Sequence, residues 1–147
     1  MMRALILGIC LLVGVTAAPA RAQTAPRVPL EQFVQQVAFL WSMADVAALV
    51  DVLPTDDRVL LDTGSGTEAV NSRHAAAALR ALFESRETVA ARAVRVTIAG
   101  GSPPRGFGEL AWSFRTRGAP TAQSRSVYVA AVWTKKGWRV NELRVMP

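Results

Sequence analysis

Residues 106–146 constrain the fold more than any other part of this chain. Three runs rich in Val, Trp, Phe and Tyr follow one another there, separated by short segments that contain Gly, Pro or Lys-Lys-Gly. Long runs of this composition, broken by turn residues, are typical of an antiparallel meander of strands. The chain before the meander is then expected to supply helices that cover one face of the sheet.

The alternation within these runs indicates which residues share a face. Leu110, Trp112 and Phe114 fall on one side of the first strand. The next strand is apolar on both sides, with Val127, Val129, Ala131 and Trp133 on one and Tyr128, Ala130 and Val132 on the other. Such a strand is either central in a sheet covered on both faces or lies at a subunit interface.

The last strand, residues 138–146, changes the phase of its side-chain alternation. Trp138 and Val140 match one alternation, and Leu143 and Val145 match the other. A bulge near Asn141 and Glu142 would reconcile the two, since one extra residue resets the phase of the side chains.

An earlier strand is predicted over residues 88–101, with Val94, Val96 and Ile98 on one face.

Helices are predicted in the first half of the chain. Apolar residues at three- and four-residue spacing indicate helices at residues 30–43 and 45–52, and Pro54 ends the second. The aromatic residues of the first helix are expected to be core: Phe33, Phe39 and Trp41. A short strand at residues 58–62 and a loop at residues 63–71 lead to a third helix, with Ser72 as its N-cap.

The N-terminus has the pattern of a secretory signal peptide. A basic Arg3, an apolar run that includes Cys10, and small residues before Gln23 predict a signal peptide at residues 1–22, a flexible leader at 23–29 and one domain at 30–147. The apolar run is shorter than the roughly 20 residues that cross a bilayer. The protein is therefore expected to be exported, periplasmic or secreted, with no stable membrane anchor after cleavage.

The remaining chain contains no cysteine, which excludes a thiol nucleophile, a thiolate metal site and a redox dithiol. Its charge is uneven, with three basic and seven acidic residues over 23–75 and twelve basic and four acidic residues over 76–147. A basic half suits an acidic partner, an anionic lipid or nucleic acid, and export makes nucleic acid the least suitable. The plainer interpretation places the basic residues on the solvated outer face of the sheet.

Taken with this order of elements, several stretches resemble the nuclear transport factor 2-like cone fold. They are the helix opened by Ser72 that reads HAAAALRALFES, and the strand pair ending VAAVWTKKGWRVNELRVM. The superfamily includes ketosteroid isomerase, scytalone dehydratase and SnoaL-type polyketide cyclases, and the likeness is nearest to secreted bacterial domains with no assigned function. Over residues 30–146 the resemblance implies an α+β fold in which a curved, mostly antiparallel sheet wraps around three N-terminal helices. Fold alone does not imply an activity.

Few residues are candidates for chemistry. The enzymes of this superfamily imply a carboxylate and a hydrogen-bond donor inside the cone, and Glu142 with Tyr128 is the best available pair. The alternative places Glu142 outside, in an ion pair with Arg144 or Arg125. His74 is expected to be exposed, and a lone histidine makes a poor metal site, so neither a metal nor a cofactor is predicted.

Three functions remain open from the sequence. The first is a non-catalytic binding or interaction domain, whose partner is a small apolar ligand, an envelope protein or a second copy bound through the sheet. Its ligand-binding candidates are Trp112, Phe114, Tyr128, Trp133 and Trp138. The second is a small isomerase, dehydratase or cyclase. The third is a structural domain with a filled cone and one outer basic patch formed by Arg92, Arg95, Arg115, Arg117, Arg125 and Lys135.

Overall fold

A computed structural model describes residues 27–55 and 57–147. Three helices come early in this part of the chain: α1 (Arg27–Ser42), α2 (Val46–Asp51) and α3 (Ser72–Ser85). Two short strands lie between α2 and α3: β1 (Val59–Asp62) and β2 (Glu68–Val70). Four long strands follow: β3 (Arg86–Gly100), β4 (Arg105–Thr116), β5 (Ala122–Thr134) and β6 (Gly137–Met146).

The six strands form one sheet in the order β2-β1-β6-β5-β4-β3. Every neighbouring pair is antiparallel except β1 and β6, which run parallel. The helices pack against one side, which we call the inner face, and the opposite side is the outer face. The predicted α+β class, with a curved, mostly antiparallel sheet around three helices, is confirmed.

Helix α1 packs against the inner face at β3 and β4. Its buried residues recur at three- and four-residue spacing, and Leu30, Val34 and Val37 are fully buried. Strand β4 contributes two glycines at the contact, because a Cβ at Gly106 would lie 2.3 Å from Leu30 Cδ2 and one at Gly108 would lie 2.6 Å from Val34 Cγ1. The absence of side chains at these two positions allows the helix its close approach.

The helix predictions need three corrections. Helix α1 begins at Arg27, so residues 27–29 of the predicted leader are helical, while the predicted signal peptide lies outside the described residues. Phe39 is 62% exposed, and its prediction as core is wrong because it falls off the buried stripe that runs from Leu30 to Trp41. The N-cap of α3 is Asn71 rather than Ser72, since Asn71 Oδ1 accepts a hydrogen bond from the His74 backbone N–H at 2.9 Å.

The strand predictions hold with two exceptions. Part of the predicted loop at residues 63–71 forms β2, which pairs with β1. In β3 the register shifts between Ala93 and Arg95, so Val94 is 46% exposed and does not share the inner face with Val96 and Ile98. The predicted bulge in β6 is confirmed, because Ala131 pairs with Val140 and Ala130 with Glu142, which leaves Asn141 as the extra residue.

Candidate functional site

The concave side of the sheet is filled by aromatic side chains. Trp41 of α1 contacts Phe83 of α3 and Trp112 of β4 edge to face, with ring centroids 5.1 and 5.4 Å apart. Phe114 lies 4.3 Å from Trp112, centroid to centroid. Trp41, Trp112 and Phe114 are each 1% exposed. These rings bury their surface against one another, as in a protein core.

The five predicted ligand-binding residues lie in three places. Trp112 and Phe114 belong to the aromatic core just described. Trp133 and Trp138 form a second edge-to-face pair at another end of the same core, in the β5–β6 hairpin, with centroids 5.3 Å apart. Tyr128 lies on the opposite side of the sheet, because strand alternation separates it from the buried Val127 and Val129. The structure therefore does not bring the five together around one cavity.

The candidate catalytic pair also lies on the outer face. Glu142 forms an ion pair with Arg144 on the same strand, which is the alternative that the sequence left open. Tyr128 pairs across the ladder with Arg144. Burial raises the pKa of the Tyr128 phenol, the negative charge of Glu142 raises it further, and Arg144 opposes them. Tyr128 thus remains a neutral hydrogen-bond donor, but outside the cone.

The outer face carries an apolar group at its centre, which we call the outer-face patch: Phe107, Tyr128, Ala130 and Val132. The rings of Phe107 and Tyr128 stack with centroids 5.8 Å apart. Ala130 is only 5% exposed, although none of the three helices within residues 27–55 and 57–147 covers it on this side. Neighbouring side chains of β4, β5 and β6 therefore pack closely enough to form a nearly continuous surface.

Charged residues of both signs border the outer-face patch. On the β3 side, Glu109 accepts a hydrogen bond from Ser126 Oγ at 2.9 Å, and its other oxygen lies 3.7 Å from Arg95 Nη1. On the β6 side, Glu142 pairs with Arg144. Phe107 is not among the predicted site residues. Its alternation with Leu110 and Trp112 along β4 nevertheless indicates that it lies on the other face of the sheet.

The predicted outer basic patch does not form as a single surface. Arg125 pairs with Trp112 in the ladder and shares the inner phase of Val127, so it belongs to the inner face. Arg117 donates from Nε to the backbone oxygen of Glu84 at the end of α3, at 2.7 Å. Lys135 lies in the turn between β5 and β6. The basic residues are therefore spread over both faces and two ends of the domain.

His74 is exposed in the first turn of α3, as predicted. Across residues 27–55 and 57–147, no cluster of three or more His, Cys, Asp or Glu side chains could hold a metal ion. In the same part of the chain, none of the helices has the length and apolarity needed to cross a bilayer.

Comparison with solved structures places this architecture among nuclear transport factor 2-like folds. A DUF4783 family protein from Bacteroides uniformis superposes with a TM-score of 0.59 at 11% identity, covering 75% of this chain and 92% of that one. A ketosteroid isomerase-like protein from Erwinia carotovora atroseptica gives 0.59 at 11% identity, with 80% and 92% covered. A Novosphingobium aromaticivorans protein described as ntf2-like, with a cystatin-like fold, gives 0.58 at 17% identity, with 82% and 80% covered.

These likenesses confirm the cone fold that the sequence resembles. At such low identity they show the fold alone, and one of the similar structures belongs to a domain family of unknown function. No model of a known protein family matches the sequence, and no curated protein matches it.

Proposed function

We propose that this protein is a non-catalytic interaction domain that pairs with a second copy of itself through the outer face of its sheet. The observation that carries the proposal is the outer-face patch, an apolar centre on strands β4 and β5 with charges of both signs at its border. An apolar centre with a polar, charged rim is the usual anatomy of a protein interface.

The charged groups around the patch are partly paired within the chain. Arg95 pairs with Glu109 on the β3 side, and Arg144 pairs with Glu142 on the β6 side. In the ladder Arg105 and Arg139 also pair with Val132, so the border carries more guanidinium groups than carboxylates. The choice of a second copy as the occupant therefore rests on the apolar centre and on the area of the face, because a two-fold interface joins the same patch of both copies.

The area of the face is also near that of a stable interface. Four strands spaced about 4.8 Å apart, each about ten residues long at about 3.4 Å per residue, define a plane of roughly 650 Å². A standard interface buries about 800 Å² on each partner once the relief of the side chains is included. The outer face therefore has enough surface to support a dimer without any contribution from the helices.

The cellular setting is part of the same proposal. Residues 1–22 motivate export, so we place the dimer in the periplasm or outside the cell, without a stable membrane anchor. A cell-envelope protein stays the alternative partner for the same surface. The enzyme alternative has less support, because Tyr128 and Glu142 lie on the outer face and not in a pocket of the cone.

Sedimentation velocity of the purified protein tests self-association. We expect the wild type to sediment as a dimer, and Val132→Glu to sediment as a monomer because it introduces a charge into the centre of the patch. Val89→Glu is the matched control, since Val89 is 50% exposed on the edge strand β3, away from the patch. A monomeric wild type at all accessible concentrations, or a dimer that both variants preserve, would contradict the proposal.

A further inference from the structure

A polar pocket lies at one end of the inner face, apart from the outer-face patch. It has a volume of about 310 Å³ and is lined by Asp62, Gly64, Arg86, Arg125 and residues 145–147. The pocket is thus formed where the end of β1, the start of β3 and the end of β6 meet. Its volume is at the lower limit of the range typical for small-molecule sites, about 300 to 1,000 Å³.

Arg86 is held at this pocket by the aromatic core. Its guanidinium carbon lies 5.0 Å from the ring centroid of Phe114 and 5.8 Å from that of Trp112. A guanidinium that contacts aromatic rings in this way is attracted through its flat face, and its N–H donors point outward from its edges. Arg86 is therefore positioned by cation–π contacts that leave hydrogen-bonding capacity for a ligand.

Arg125 provides a second guanidinium on the same face. It lies directly across the ladder from Trp112, and it is partly buried rather than fully solvated. Within residues 27–55 and 57–147, no carboxylate lies within ion-pair distance of either Arg86 or Arg125. Among the side chains that line the pocket, these two half-buried cations outnumber the single carboxylate of Asp62, so the lining side chains have a net positive charge.

Asp62 lines the same pocket, and its carboxylate is held by its own loop, beyond ion-pair distance of the two arginines. Oδ1 accepts hydrogen bonds from the backbone N–H groups of Gly64 and Gly66, at 2.8 and 3.2 Å. The hydroxyl of Thr67 donates to Oδ2 at 3.4 Å. Asp62 thereby shapes the wall of the pocket, and the two guanidinium groups remain available to a ligand.

We propose that Arg86 and Arg125 bind the carboxylate of a small carboxylic acid with a compact apolar body. Guanidinium groups match a carboxylate because their N–H donors lie in one plane at the right spacing for two parallel hydrogen bonds. Val145 and Met146 line the same pocket and offer apolar contact to the remainder of such a molecule. The pocket and the outer-face patch lie on opposite faces, so this binding does not depend on self-association.

Benzoate is a suitable probe, and the indole N–H signal of Trp112 in a proton–nitrogen NMR spectrum is a suitable reporter. Trp112 contacts the guanidinium of Arg86, and its Nε1 donates to Thr88 Oγ1 at 3.0 Å, so its resonance is sensitive to an anion bound at Arg86. We expect benzoate to shift this signal in a saturable manner. Benzamide, which has the same ring without the charge, is expected to produce no saturable shift.

Two variants make the test specific. Arg125→Gln is expected to weaken benzoate binding about 10-fold or more, which is the usual effect of losing a hydrogen bond to a charged group. Arg92→Gln, which removes an exposed arginine from β3 on the outer face, should change the affinity less than about 2-fold. Arg86→Gln provides a second loss-of-charge variant at the pocket, and thermal melting verifies that each variant is folded.

Several outcomes would overturn the proposal. It fails if benzoate gives no saturable shift, if benzamide binds as well as benzoate, or if the Arg125 and Arg92 variants weaken binding equally. Inorganic phosphate forms a further arm of the titration. If phosphate binds through Arg86 and Arg125 while benzoate does not, the site takes small inorganic anions and the proposed carboxylic acid is wrong.

Discussion

The two faces of the central strands differ in how their apolar surface is used. On the inner face, Leu110, Trp112 and Val129 are at most 1% exposed beneath the helices. On the outer face of the same strands, Phe107 and Tyr128 are only partly buried and stack on each other. Alternation along one strand thus divides apolar residues into a set that stabilises the fold and a set that remains available for a partner.

The aromatic content of this chain does not by itself indicate a ligand pocket. Trp41, Phe83 and Trp112 contact one another in edge-to-face geometry and fill the cone. Each such contact adds about 0.5–1.5 kcal/mol beyond the burial of area. The aromatic residues inside therefore act as core, and the proposed interaction surface lies on the face that none of the described helices covers.

The largest expected effect is on the free energy of unfolding, which should fall more for a change on the inner face than for one on the outer face. Trp112→Ala removes a buried ring that contacts three other rings, so it should lower the free energy of unfolding by about 3–5 kcal/mol. Phe107→Ala, on the outer face, should lower it by about 1 kcal/mol because it loses mainly its stack with Tyr128. Urea denaturation followed by circular dichroism measures both. Equal losses for the two variants would contradict the division between faces.

A smaller effect is expected where α1 approaches β4. Gly108→Ala places a Cβ 2.6 Å from Cγ1 and 2.9 Å from Cγ2 of the buried Val34. The β-branched valine cannot easily turn away, so the helix must shift, at a cost of about 1–3 kcal/mol. The same denaturation experiment measures this cost.

A double-mutant cycle verifies the cause. If the clash with Val34 is responsible, Gly108→Ala combined with Val34→Ala should destabilise the protein by less than the sum of the two single changes. Strict additivity would show that Gly108 is needed for another reason, such as the backbone conformation of β4.

Much of this fold could be predicted because its strands show strong alternation. Leu110, Trp112 and Phe114 share a buried face, and the change of phase in β6 marks the bulge at Asn141. The wrong strand prediction arises where the local alternation of side chains is compatible with two strand registers. Val94 alternates correctly with Val96, but a register shift in β3 that has no local signal moves it outward.

The site was predicted less well, because its position depends on which face the helices cover. Tyr128 and Arg125 lie three residues apart on β5 and so point to opposite faces. The sequence shows that they differ in phase, but the prediction places Tyr128 among the ligand candidates and Arg125 among the outer basic residues. The phase of the apolar Val127 and Val129 would have assigned both correctly, with Arg125 inside and Tyr128 outside.

The smallest expected effect concerns the ionisation of Tyr128 on the outer face. Tyr128 is the only tyrosine of the chain, so the ultraviolet absorbance of phenolate reports it alone. Its pKa is raised above 10.0, first by burial and then by Glu142. In the window between 10.0 and its folded-state pKa, the folded protein holds a proton that the unfolded chain has lost, so stability falls as the pH rises through this window.

Glu142→Gln should lower the pKa of Tyr128, because it removes a negative charge that disfavours the phenolate. Arg144→Gln should raise it, because it removes the positive charge that opposes the shift. Opposite signs would show that both charges act on Tyr128, which pairs directly with Arg144 in the ladder and lies diagonally across from Glu142. The Val132→Glu variant connects this titration with the proposed dimer. If a second copy covers the outer face, Tyr128 is less exposed to solvent in the dimer than in the monomer. Its pKa should therefore fall as the wild-type protein is diluted into monomers, whereas dilution of Val132→Glu should leave the pKa unchanged.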